Sequence, residues 1–490
     1  MAKVPVFWGL DVEDAHNPEA DDALLRLCQI HSDVGIPWNL FFAGQKARVL
    51  RRNGRHDVIA ALKDHEICYH GNYWFEYPEP ALVYGAFDDW DTALSKALSI
   101  EVPGLNEVAE VTGQFPAAYV QHQANHSTAT QYAMRLGGVH INNGGFGGTM
   151  PHNAWVMDTL FAGRALGNVG PQGDWSYPYD PLHPEREKPA VDPAEELRRF
   201  QEAFDAQLEQ GWDHVNVVGH PTCWAFAEWW GWYDFSLPFR IREQCGPVGL
   251  YPHDRQWMRV MERTPADIEA HMEWTRRAAE WVAARNDVQC MRLQDYHAQH
   301  KEPPGQWVTV GQMRQMARVL LQNFDALKVG DTTVSVADAL VLLATLGEHI
   351  MLYNKLPEKL QVRRTIGPVE AVPEISQPLT FSRADYLIAA RAVYGYTMAH
   401  SRIPHAIKAH SVNAGPAQVL MALAEAFSQE ELPEQVTVQP VAGLPKCAEF
   451  SIFRDAKAAS ISAPPFYDTG RMNLLCKLQS WSYRPLLQDV

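Results

Sequence analysis

The chain has 490 residues and a formal charge of −16, from 42 basic against 58 acidic side chains. With 46% apolar and 20% charged residues it can bury a core, but its length exceeds what one core organises, so at least two domains are expected. The acidic balance works against neutralising phosphate backbones, and no nucleic-acid partner is expected.

The opening MAKVPVFWGLDVED meets three carboxylates almost at once. It lacks the length and cleavage site of a signal peptide and reads as a first strand, Val4 to Leu10. Further buried strands are predicted at Pro37 to Phe42, Glu66 to Tyr69, Ala117 to Val120, Val139 to Asn142, Val215 to Gly219 and Val288 to Arg292. Helical spacing of apolar residues falls between them, at Asp21 to Ser32, Ala47 to Leu62, Ser127 to Leu136, Pro193 to Gln210 and Thr264 to Ala284. Such alternation implies βαβ units, an α/β fold with its strands wound into a barrel. The Gly-, Pro-, Trp- and Tyr-rich stretch from Gly144 to Pro193 reads as a long excursion over the barrel mouth.

The run KEPPGQ, Lys301 to Gln306, breaks the pattern, placing a boundary between residues 1–300 and 301–490. Two later segments echo each other as helix, extended hairpin-like piece and helix, so the second region is expected to be a smaller, mainly helical α+β domain with an internal duplication, used for binding or assembly. Its His400, His405 and His410 read as solvated loop residues. The apolar stretch Val334 to Tyr353 is interrupted by Asp338, Glu348 and His349, and no membrane segment is expected. Seven scattered cysteines without a C-x-x-C pair suggest neither a disulfide framework nor a thiolate zinc site, and a reducing cytoplasm suits them.

The chemistry concentrates in Leu10-Asp11-Val12-Glu13-Asp14-Ala15-His16, where a buried strand runs into three carboxylates. Strands of α/β barrels deliver their C-terminal ends to the active face. Alternation sets Asp11 and Glu13 on one side of the chain. Two close carboxylates favour one protonated and one ionised group, which suits a general base beside a metal-binding partner. The plainer alternative is an acidic loop capping the helix near Asp21. His70 and His220 each end an apolar strand, whereas His65 reads as part of the turn before its strand.

Taken in order, LDVEDA, VGIPWNLFFAG, DHEICYHGNY, AYVQHQANHSTATQYAMRLGGVHIN, VNVVGHPTCWAF and DVQCMRLQDYHAQH resemble the landmarks of the polysaccharide deacetylase (NodB-type) family over about residues 4 to 300. That resemblance implies a distorted (β/α) barrel and hydrolysis of non-peptide carbon–nitrogen bonds, with N-deacetylation of an amino sugar or glycan by metal-activated water as the leading activity. It implies Asp11 as the base that activates water and His220 as the acid for the leaving amine. Glu13, or else Asp14, and His70 stand as ligands of a divalent metal, with zinc first among the candidates.

Trp74 stands where the family places its second metal histidine. Either His122, His126 or Glu76 completes the site, or the metal is absent, as in relatives that hydrolyse cyclic amides without one. No arginine sits at the third motif, where Gln121 and Asn125 offer neutral hydrogen bonds instead. Substrate contacts are expected from Tyr73, Trp74, His122, His126 and Trp224, within an aromatic mouth suited to sugar rings. A metal-independent amidohydrolase of a small cyclic or linear amide and a non-catalytic carbohydrate-binding barrel are the alternatives. The second region more weakly resembles pseudomurein-binding repeats, which implies a module that holds the barrel against a polymer.

Overall fold

The computed structural model describes residues 3–15, 17–73, 85, 88–121, 127–144, 152–163, 192–226, 262–303, 305–450, 453 and 469–486. Eight strands of the first region are β1 (Val4–Val12), β2 (Asn39–Phe42), β3 (Glu66–Tyr69), β4 (Ile141–Asn142), β5 (Ala154–Val156), β6 (Thr159–Phe161), β7 (Val215–Gly219) and β8 (Val288–Cys290). β1 lies at the centre, parallel to β2, β7 and β8, and β2 continues in parallel to β3. Single parallel bridges from Tyr69 to Tyr119 and from Tyr119 to Asn142 carry the order on to β4, which pairs in parallel with β6.

Between β6 and β7 side chains take over from the backbone ladder. Asn143 donates to the Ala162 carbonyl at 2.7 Å, and His214 and Asn216 reach the Gly163 carbonyl at 2.7 and 3.1 Å. Strand order thus follows chain order around a distorted (β/α) barrel. β8 enters beside the first residues of β1, where Asn39 bonds to the Trp8 and Met291 carbonyls.

The two-residue period of β1 explains what the barrel does with its side chains. Val6, Trp8, Leu10 and Val12 face outward into the core beneath the helices. Phe7 faces inward, to an interior cluster with Phe41, Cys68, Ala118, Val120 and Ile141. The polar residues at the strand exits follow the inward parity.

Several helices match the spacing of apolar residues, among them Pro18–Val34, Thr128–Leu136, Pro193–Glu209 and Pro265–Ala283. The single helix expected over Ala47 to Leu62 is two, Gly44–Arg52 and His56–Ala61. They are parted at Gly54, whose φ of 66° no helix accommodates. A 23-residue helix, Trp90–Thr112, was not anticipated; it packs closely enough on β3 that a Cβ at Gly104 would collide with the Tyr69 hydroxyl and Asn72. The expected excursion from Gly144 contains the β5–β6 hairpin, and its residues 164–191 lie outside the described ones.

Beyond the proline-bearing break, one architecture occurs twice. The first unit runs Trp307–Thr309, helix Val310–Leu320, hairpin Leu327–Val329 and Thr332–Val334, helix Val336–Tyr353, then Lys359–Gln361. The second runs Leu379–Ser382, helix Arg383–His400, hairpin Ile407–Ala409 and Val412–Ala414, helix Pro416–Ser428, then Gln435–Val438. In each unit the first and last strands pair antiparallel. Thr309 with Gln312 and Ser382 with Asp385 form capping boxes at equivalent helix starts, and Ser335 with Asp338 forms another at the second helix of the first unit.

The helix Val336–Tyr353 is long and apolar enough to cross a membrane by length and composition. It is instead the spine of this half, packed against both helices of the second unit.

The split expected at 300/301 is not clean. Ile366, Val369, Leu475, Cys476 and Leu478 belong to the barrel's outer core. The strand Arg484–Pro485 pairs with β5, and Arg402 grips Asp91 through two bonds of 2.8 and 2.9 Å. The chain's last described segment therefore returns to the barrel.

Candidate active site

Asp11, Glu13, His70 and His220 leave three strands at their C-terminal ends and meet inside the barrel. Asp11 lies within β1 and Glu13 just past it; His70 and His220 directly follow β3 and β7. His70 Nε2 lies 3.0 Å from Glu13 Oε2 and 3.8 Å from Asp11 Oδ2. His220 Nε2 lies 3.4 Å from Asp11 Oδ2 and 3.6 Å from Glu13 Oε1. Asp11, Glu13 and His70 are buried and His220 is nearly so. Residues 209 positions apart in the chain, from Asp11 to His220, thus share one small volume.

A backbone contact sets the state of His70. Its Nδ1 lies 2.9 Å from the Val120 carbonyl oxygen. A carbonyl only accepts, so Nδ1 carries the proton, and in the neutral ring Nε2 turns its lone pair toward the carboxylates. This is the arrangement by which proteins orient a metal-binding imidazole.

Neighbouring groups brace the loops. Asp14 turns away from the cluster: its carboxylate accepts from the Asn17 amide and side chain at 3.0 and 2.9 Å, and from Thr222 Oγ1 at 3.1 Å. The expectation of Asp14 as the metal-binding acid is corrected accordingly, since its carboxylate ties the loop after β1 to the loop that carries His220. Lys46 holds the same loop through the Asp14 carbonyl and pairs with Asp21. Burial pushes the Asp21 carboxyl up despite that ammonium. Thr222 and Lys46 were not anticipated, because nothing local marks Thr222 as the partner of a residue 208 positions earlier.

The expected substrate contacts fare unevenly. Trp224 is 1% exposed. Its ring packs against Trp274, its indole N–H donates to Thr275 at 2.9 Å, and a Cβ on Gly219 would strike it. It is a core residue, and the expectation that it binds substrate is corrected. Tyr73 is 38% exposed, with the Arg48 guanidinium 5.1 Å from its ring centre. Trp74, His122 and His126 lie outside the described residues, as do Glu76 and Asn125. Gln121 has outward parity and bonds Ser127 and Gln131, so it does not replace the missing arginine inside the barrel. His65 is structural, joined to the Trp38 amide and the Cys28 carbonyl.

The cluster has the donor types of a divalent-metal site, two carboxylates and two imidazoles. Its cross-distances of 3.0 to 3.8 Å bracket the separation of about 3.4 Å between ligands bound at roughly 2.1 Å in a tetrahedron. Among the described residues no group of three such side chains already encloses a metal-sized point. Glu13 and His70 are the nearest pair, at 3.0 Å.

No family model matches the chain, and no curated protein does. Solved structures do. A chain described as a polysaccharide deacetylase from Mycobacterium smegmatis is 15% identical with a TM-score of 0.38, covering 62% of this chain and 93% of that one. A second, described as a polysaccharide deacetylase from Pseudomonas aeruginosa PAO1, is 13% identical with a TM-score of 0.38 over the same shares. An allantoinase is 14% identical with a TM-score of 0.36, again over 62% and 93%. The strand order and parity described above, rather than these likenesses, carry the fold. The pseudomurein-binding resemblance of the second half finds no support in them.

Proposed function

We propose that the barrel hydrolyses a carbon–nitrogen amide bond, and that its substrate is an N-acylated amino sugar or glycan. The observation that supports this is the convergence of Asp11, Glu13, His70 and His220 at the strand exits. Amide cleavage needs a base for water, stabilisation of the developing oxyanion and a proton for the departing nitrogen. Asp11 takes the proton from water as its oxygen attacks the acyl carbon. His220, facing Asp11, delivers a proton to the amine nitrogen as the C–N bond breaks. Glu13 and His70 would hold a divalent metal, which supplies Lewis-acid polarisation of the carbonyl and a more acidic water. Val120 keeps His70 aimed by accepting its Nδ1 proton.

Release of acetate from a panel of N-acetylated amino sugars, combined with elemental analysis of the purified protein, tests this reading. Turnover that chelation removes and a divalent ion restores, with metal content lost in Glu13→Gln and His70→Gln, is the expected result. Turnover without metal would move the assignment to a metal-independent amidohydrolase of a small amide, the reading that Trp74 at the second histidine position favours. Sugar binding without turnover would leave a carbohydrate-binding barrel.

A further inference from the structure

A cleft of about 260 Å³ opens at the seam between the barrel and the C-terminal half. His140, on its wall, precedes β4 at the strand's N-terminal end, so the cleft and the Asp11 cluster lie at opposite ends of the barrel. The barrel contributes Arg135, His140, Asp158 and His297 to its lining, the linker Lys301 and Glu302, and the C-terminal half Arg364.

Charge around this cleft is unevenly spent. Asp158 is shared by Arg135 at 2.5 Å and Arg484 at 3.2 Å. Glu302 is shared by Arg484 and, at 2.7 Å, Arg364, which also reaches Asp338 at 2.8 Å. Three carboxylates thus face three guanidiniums, and the ammonium of Lys301, which has no ion pair among the described residues, is in surplus.

Hydrogen-bond donors are in surplus too. Arg135 spends Nε and Nη2 on Asp158, leaving Nη1 with no bond among the described residues. The imidazoles of His140 and His297 lie nearly parallel, 16° apart with centres at 6.0 Å, and neither side chain has a hydrogen bond among the described residues. A polar wall with unspent donors and net positive charge is a site that a negative ligand completes. Burial, with Arg135 and Lys301 adding to it, disfavours protonation of both rings, and His297 falls to about 4.

We propose that this seam cleft binds a small oxyanion, the carboxylate or phosphate group of a soluble metabolite, through Lys301, Arg135 and the paired imidazoles. The volume, slightly under the roughly 300 Å³ of a small ligand pocket, suits a compact molecule. The proposal stands apart from the hydrolytic reading.

Titration calorimetry of the full chain with inorganic phosphate and with malonate, each matched in ionic strength by sodium chloride, tests it. Saturable binding of either probe is expected, weakened about fivefold or more in Lys301→Gln and in the double variant His140→Gln/His297→Gln, and unchanged in Asp11→Asn. Preference between the probes identifies which oxyanion the cleft favours. Lys301 is exposed, so its substitution leaves the fold intact. No heat beyond chloride, or equal affinity in the wild type and Lys301→Gln, would overturn the proposal.

Discussion

At the scale of single residues, the account rests on side chains whose chemistry depends on what holds them. Thr222 joins Asp14, tying the loop that follows Asp11 and β1 to the loop that carries His220. Thr222→Val removes the hydroxyl while keeping the shape, and should lower kcat about tenfold with KM little changed, whereas Thr222→Ser should keep activity. Steady-state kinetics on the three proteins decides it. Glu66 offers a separate test. It accepts the Leu293 and Gln294 amides at 2.9 and 3.1 Å, and burial raises its carboxyl from 4.5 to about 7. Between those values the folded state keeps a proton that the unfolded state has lost, so this group's contribution falls as pH rises, by about 3 kcal/mol in all. Glu66→Gln should lack that slope in urea unfolding at pH 5 and pH 8. Asp11, Glu13, His70 and His220 were legible in the sequence because each stands where an apolar strand ends. Trp224 was misread because the same local signal, an aromatic just past a strand, does not say whether the ring turns outward or under the helices; the close approach of Gly219 decides that, and it is a tertiary fact.

Among elements, strands were legible wherever burial leaves an unbroken apolar run, as at Glu66–Tyr69 and Val215–Gly219. The fourth barrel position falls at Ala117 to Val120 as expected, with Ala117, Ala118 and Val120 bonded to the backbone of β3 and Tyr119 to that of Ile141. The helix Trp90–Thr112 was missed because Pro103 sits inside it, and a proline argues locally against a helix interior that tertiary packing nonetheless sustains. The repeated unit of the second half was legible because two segments follow the same course of helix, extended hairpin-like piece and helix. Its most consequential cap is Asp338, buried, which accepts from Ser335 and Thr365 amides and pairs with Arg364 at 2.8 Å. Asp338→Ala should destabilise the protein by about 1–3 kcal/mol, since it leaves the buried Ser335 and Thr365 amides unpaired and takes one of two carboxylates from Arg364; a shift in the denaturant midpoint measures it.

For the whole molecule, the two halves share packing rather than a hinge, because the last described segment re-enters the barrel's sheet and core. That return was not legible: a two-residue pairing at Arg484–Pro485 leaves no periodic trace. The interior also stores neutral histidines. Burial holds His31 well below its usual range, His214 at about 4 and His271 at about 3. For each, the unfolded state binds more protons between the folded value and 6.5, so stability rises with pH across that window and is lost on acidification. Three such groups outweigh the opposite slope of Glu66, and the urea midpoint should fall from pH 6.5 to pH 4.5; a flat profile would contradict their burial as neutral rings. The central claim, that Asp11 activates water against an amide within the cluster it shares with Glu13, His70 and His220, is tested most directly by running the N-acetylated amino-sugar panel in ¹⁸O-labelled water. The account predicts that wild-type protein releases acetate bearing one labelled oxygen and that Asp11→Asn slows this about a hundredfold or more. Acetate released by Asp11→Asn at the wild-type rate would contradict it.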